Sequence, residues 1–194
     1  RSLELGINFV DTAKSYGDSE EKVGAAISGE RDDCVITSKS LANDRDKLLA
    51  DIDISLEHLR TDRIDIYQLH SVSSAERLEK ALASGGLLDG LKEAQKAGKI
   101  GFTGFSGHKK DILIEAIKTD EFDVVQMPIN VVDRDTWCDV LPLALERDLG
   151  IISMKPLAGG VLTDLSPEIT SLALRYVVQQ DISTAVVGMR SVPE

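Results

Sequence analysis

The stretch DRDKLLADIDISLEHLRTDRIDIYQLH, residues 44–70, carries two hydrophobic rhythms in one run of chain. Over 44–59 the apolar residues Leu48, Ile52, Leu56 and Leu59 recur at spacings of three and four, while Asp46, Lys47, Asp51, Asp53 and Glu57 fall elsewhere. That is the period of a helix with one buried face. Over 64–70 the run is short and mostly apolar, too brief for a helix and rich in strand formers. A helix followed after a short turn by a strand covered on both faces is the repeating unit of a parallel sheet with crossover helices.

The same unit recurs on both sides. Further strands are expected at 6–12, 33–38, 99–106, 124–130, 150–155 and 184–188. Helices are expected at 19–27, with Asp18 or Ser19 as cap, and at 87–97 after the break made by Gly85 and Gly86. Others fit 109–118, 135–148 and 166–180, the last entered through Ser166 with Pro167 at the first helical position. No linker or low-complexity tract interrupts the pattern, so residues 1–194 read as one domain. The expectation is an α/β fold of the (β/α)8 TIM-barrel type, for which about 250 residues is usual. The count is one strand short, and residues 2–5 resemble the tail of a helix, so the barrel is expected to be incomplete, without its first strand and last helix.

Composition narrows the function classes. The 33 acidic residues outnumber the 22 basic ones, and a net charge of −11 repels phosphate backbones and anionic lipid, so neither nucleic acid nor a membrane is the expected partner. Cys34 and Cys138 stand far apart without metal-ligand or CxxC spacing, which fits free thiols in a reducing cytoplasm and no metal site. No apolar run approaches the roughly 20 residues that cross a bilayer.

In a barrel of this kind the chemistry gathers at the C-terminal ends of the strands. The first strand leads through Asp11 to Tyr16, the second ends at Lys39 and the third at His70. Each alone has an ordinary explanation as a cap, a packed ring, a solvated charge or a hydrogen-bonded imidazole. All four at matching ends of successive strands make a candidate active site.

The segments GINFVDTA (6–13), SYGDSE (15–20) and Val23–Gly24, then ITSK (36–39) and YQLH (67–70), resemble the signatures of the aldo-keto reductases. The likeness continues through GFS (104–106), Val125–Gln126, MKPLAGG (154–160) and VGMR (187–190). The forms GFSGH and MKPLAGG are similar to a branch whose longer members carry a C-terminal iron–sulfur segment, although no such cysteines occur here. The resemblance implies an NAD(P)H-dependent oxidoreductase that reduces aldehydes and ketones to alcohols. Tyr16 would be the general acid, Lys39 its activator, Asp11 the holder of Lys39, and His70 the residue orienting a small-molecule carbonyl substrate.

A free phenol has a pKa of about 10, too high for neutral pH. An ammonium about 4 Å from a phenolate, at an effective dielectric near 20, is worth roughly 4 kcal/mol or about three pKa units. Lys39 is therefore expected to make Tyr16 competent.

No GxGxxG opens a helix after a strand, so a Rossmann site is not indicated. The resemblance instead implies that Ser106 and Gln126 grip the nicotinamide amide and Met154 covers the ring. Pro156, Leu157, Gly159 and Gly160 would meet the phosphates, and Arg190 and Ser191 would meet the 2′-phosphate of NADP, preferred here over NAD. Two departures stand out: Gly107 replaces the asparagine of many relatives, and Met154 replaces a tyrosine. A different reading is a nicotinamide-binding redox sensor with little turnover, or an inactive fragment. Oligomeric state is not expressed in the sequence, where no large exposed apolar stripe stands out.

Overall fold

Seven parallel strands run in sequence order in the computed structural model, which describes residues 1–189. They are β1 (Phe9–Asp11), β2 (Val35–Ser40), β3 (Ile64–Leu69), β4 (Ile100–Ser106), β5 (Val124–Pro128), β6 (Gly150–Met154) and β7 (Thr184–Ala185). All seven lie inside or within two residues of the expected stretches. The helices are α1 (Ser19–Ala26), α2 (Arg45–Leu59), α3 (Ala75–Leu82), α4 (Leu87–Lys96), α5 (Lys110–Ile117), α6 (Arg134–Trp137), α7 (Val140–Glu146) and α8 (Pro167–Val178).

Consecutive parallel pairing with helical crossovers curls the sheet into a nearly closed, incomplete (β/α)8 barrel. A cavity of about 720 Å³ lies between β1, through Phe9 and Val10, and Val187 and Met189 beyond β7.

The two faces of the sheet divide the core. Ile36, Tyr67, Leu69, Phe105, Val125, Met127 and Ile151 belong to the large apolar cluster shared with Leu48, Ile52 and Leu59 of α2 and Leu87 and Leu91 of α4. Ile66, Val124 and Ile152, with Phe9, Val35 and Val186, form a separate cluster that fills the lower barrel interior. Above it the interior turns polar, with Thr37, Lys39, Gln68, Ser106 and Gln126 all buried. Side chains alternate along a strand, so residues two apart share a face, and the same interior faces that pack the floor deliver polar groups to the mouth.

Three local departures have physical causes. The single helix expected at 135–148 is split into α6 and α7, because Pro142 has no N–H to donate and is tolerated only in the first turn of a restarted helix. Helix α3 was not expected as a separate element, although Ser74 caps it by accepting a hydrogen bond from Arg77 N at 3.2 Å. The outer surface is less polar than the sequence suggested. Ile169, Leu172 and Val178 of α8 are exposed, as are Val161 and Leu165 just before it.

Candidate active site

Lys39 is the pivot of the mouth. Its side chain is 2% exposed, and its ammonium lies 2.7 Å from Asp11 Oδ1, to which it donates, and donates also to the Thr12 carbonyl at 2.7 Å. Gln126 Nε2 donates to the same Asp11 oxygen from across the barrel at 3.2 Å. A buried ammonium survives only with such partners. Burial pulls the Lys39 pKa below the usual lysine range, while the attraction of Asp11 opposes that fall.

Tyr16 follows β1 in a turn and covers this pair. Its ring centroid is 5.3 Å from Lys39 Nζ and 5.7 Å from the centre of the His70 ring, which it meets edge-on at 81°. The four residues expected together from three strand ends are therefore adjacent.

One expectation about their electrostatics fails. Burial first, and the Asp11 carboxylate second, hold the Tyr16 phenol above its ordinary value. Lys39, although its ammonium lies near the ring, is ion-paired with Asp11 and does not offset these two effects.

His70 sits at the end of β3, its N–H donated to the Ser40 carbonyl at 2.9 Å and its Nδ1 3.3 Å from Ser15 Oγ. Burial pulls its pKa down to about 4, and the positive charges of Lys39 and Arg77 and the imidazole of His108 push the same way. The imidazole is neutral at pH 7. In the tautomer that accepts from the Ser15 hydroxyl at Nδ1, the Nε2–H is left to donate to a ligand.

The residues expected to hold a nicotinamide lie on the next strand ends. Ser106 ends β4 and Gln126 lies in β5, in register with each other. Gln126 Oε1 is buried without a hydrogen-bond partner, and a buried amide oxygen left unpaired is costly. A carboxamide N–H is the group that would satisfy it, so these residues fit a nicotinamide.

Met154 ends β6, and Pro156 and Leu157 lead into a 3-10 turn at Ala158–Gly160. Gly159 and Gly160 have φ of +69° and +100°, and nothing lies within 4 Å of a Cβ built on Gly159. This backbone is open to close approach by a phosphate. Arg190 and Ser191 lie outside the described residues.

At Gly107 an added Cβ would meet Val72 O at 2.8 Å and Leu113 Cδ2 at 3.0 Å. An asparagine does not fit this backbone, so the change there is built into the packing of β4 against its neighbours.

Sequence reading missed three contributors. Thr12 holds Lys39 through a backbone carbonyl, which no side-chain pattern reveals. Ser15 touches His70 across 55 residues of chain. Arg77 donates to the His70 carbonyl at 3.1 Å, and its one sequence signal is a cation in the first turn of a helix, where the macrodipole disfavours it. Among the described residues there is no metal-ligating cluster, and no helix is long and apolar enough to cross a membrane.

Comparison with known proteins agrees with this picture. The model of the aldo/keto reductase family matches residues 1–171. An oxidoreductase of Bacillus subtilis is 29% identical, the match covering 84% of this chain and 56% of that protein. The L-galactose dehydrogenase of Arabidopsis thaliana is 28% identical, over 100% of this chain and 73% of that one. The chain thus spans between about half and three quarters of the length of these relatives. A Klebsiella pneumoniae aldo-keto reductase solved in complex with NADPH superposes with a TM-score of 0.82, covering 99% of this chain and 73% of that chain. At 23% identity that likeness concerns the fold.

Proposed function

This chain belongs to the aldo/keto reductase family, and on that premise we propose that it is an NADP(H)-dependent oxidoreductase reducing aldehydes or ketones to alcohols. The observation that carries the reading is the stacking of Tyr16 over the Lys39–Asp11 pair with His70 against its edge. A carbonyl oxygen seated between the phenol and the imidazole would receive a proton from Tyr16 and a hydrogen bond from neutral His70. Lys39 would steady the phenolate left behind, and Asp11 would keep that lysine charged.

The nicotinamide supplies or accepts the hydride when bound. Ser106 and Gln126 would hold its amide, Met154 would cover its ring with a polarizable sulfur, and the turn through Pro156, Leu157, Gly159 and Gly160 would meet its phosphates. NADP is preferred to NAD because Arg190 suits a 2′-phosphate and because an aldo-keto reductase of Schizosaccharomyces pombe, 27% identical to this chain, is named for NADP(+). The free thiols Cys34 and Cys138 suit a reducing cytoplasm.

A second reading is a redox sensor that binds the cofactor and turns it over rarely, in keeping with burial and Asp11 holding the Tyr16 phenol above its ordinary value. Fluorescence titration with NADPH and NADH, followed by NADPH oxidation with aldehydes, ketones and quinones, separates the two. Tight NADPH binding with turnover supports the reductase. Binding without oxidation supports the sensor, and no binding of either nucleotide overturns both.

A further inference from the structure

Arg77 occupies the third position of α3, behind its cap Ser74. A cation in the first turn of a helix opposes the macrodipole. It is also partly buried, and desolvation lowers its pKa. Among the described residues it forms no ion pair, its neighbour Glu76 being bridged to Lys80 instead, and its Nε is buried without a partner. Three of the four remaining N–H donors are spent on neutral oxygens. Nη1 donates to Asn43 Oδ1 at 3.0 Å, and Nη2 to the His70 carbonyl at 3.1 Å and the Ala42 carbonyl at 3.4 Å. The guanidinium therefore ties the chain just beyond β2 to the end of β3.

The backbone it grips is unusual. Ser71, directly after His70, has φ of +59°, a left-handed conformation that is unfavourable for a non-glycine residue. That turn is held on its other side by Ser106, whose Oγ accepts Ser71 N at 3.0 Å and whose carbonyl accepts Val72 N at 2.7 Å. His70 is thus fixed at both ends, its N–H on Ser40, its carbonyl on Arg77 and its following residue on Ser106. Strain maintained beside a site by converging hydrogen bonds is a feature of pre-organised groups.

We infer that Arg77 is a positioning residue for His70, clamping the strained His70–Ser71 turn so that the imidazole faces the mouth. The inference rests on the reading of His70 as the partner of a carbonyl. The groups facing the imidazole are Lys39 from β2, Tyr16 and Ser15 from the turn after β1, His108 from the turn after β4, and Arg77 from α3. Arg77 is the charge on this list that also bonds the histidine's own backbone.

The test uses Arg77→Met and Arg77→Lys in the full chain, with the His70 imidazole followed by NMR and assigned with His70→Asn. In wild type the imidazole should titrate near 4. In Arg77→Met the midpoint should rise measurably, the acid limb of kcat/KM should rise with it, and kcat should fall about tenfold with the NADPH Kd unchanged. In Arg77→Lys, which keeps the charge and loses the fork, the midpoint should stay and kcat should still fall. A folded Arg77→Met with wild-type kcat and titration overturns the inference. So does a loss of activity accompanied by an equal loss of NADPH binding and no change in titration. Should Arg77→Met not fold, Arg77→Lys decides: reduced kcat with an unchanged titration supports the clamp, and wild-type kcat overturns it. The titration needs no turnover, so a wild-type chain that reduces nothing would sink the proposed activity while the imidazole still reports on the clamp.

Discussion

The ammonium of Lys39 and the carboxylate of Asp11 meet at 2.7 Å with side chains only 2% and 14% exposed, and Tyr16 lies over them. This pair sets both the stability of the barrel mouth and the charge beneath the phenol. Because each partner neutralises the other, Tyr16 faces a dipole instead of a bare cation.

Asp11→Asn should destabilise the chain by about 3 kcal/mol, since removing one partner leaves a buried charge uncompensated. Asp18→Asn is the control. Asp18 pairs with Lys22 at 2.8 Å, but both side chains are more than half exposed, and such pairs contribute at most about 1 kcal/mol. Urea unfolding of the two variants measures the difference, and equal costs would refute the assigned role of burial.

Tyr16→Phe should lower turnover on the order of 10²-fold if the phenol is the general acid. The ring is 48% exposed and stays in place in the variant, so stability should move by no more than about 0.5 kcal/mol. Steady-state kinetics beside thermal unfolding checks both halves. Undiminished turnover would remove Tyr16 from the reaction.

His70 makes the fold sensitive to acid. Its pKa drops from 6.5 in the unfolded chain to about 4 in the fold, burial being the main cause. Between those values the unfolded chain binds a proton that the folded one refuses, so stability falls as pH drops through that window and the His70 component is flat above it. As the pH falls from 7 through 5.5 to 4.5, the unfolding midpoint of wild type should fall relative to that of His70→Asn, the two converging if wild type starts the more stable and diverging if it starts the less stable. A constant difference would show that the imidazole is not held neutral.

Gly24→Ala should destabilise α1 despite alanine's advantage of about 1 kcal/mol in helix propensity. The new Cβ would fall 2.4 Å from the His58 carbonyl and 2.7 Å from Leu59 C, both backbone atoms of α2 that cannot swing away. Forced overpacking typically costs about 1–3 kcal/mol, and contact this close belongs at the upper end. A denaturation midpoint equal to wild type would mean that α1 and α2 separate easily.

Much of the architecture was legible because hydrophobic period is a local property. Leu48, Ile52 and Leu59 announced α2, and Asp44 announced its start, where its carboxylate accepts Lys47 N at 2.8 Å. Boundaries were less legible. The expected strand at 6–12 shrinks to Phe9–Asp11, because pairing with Val35, Ile36 and Thr37 sets its length. Helix α3 escaped notice because it spans only eight residues, too short for Leu78, Ala81 and Leu82 to establish a repeat, Leu78 and Ala81 being the buried ones.

By itself the sequence determined the order of strands and helices, the near-barrel they build, and the residues that end each strand, since side-chain alternation and helical period are written residue by residue. Tertiary structure alone decided which way the Tyr16 phenol shifts, what holds the His70 turn, and that nothing larger than glycine fits at 107. Those depend on distances between groups far apart in the chain, such as Ser15 and His70 or Asp11 and Gln126. Electrostatic and steric energies follow separation in space, which a linear order of residues does not contain.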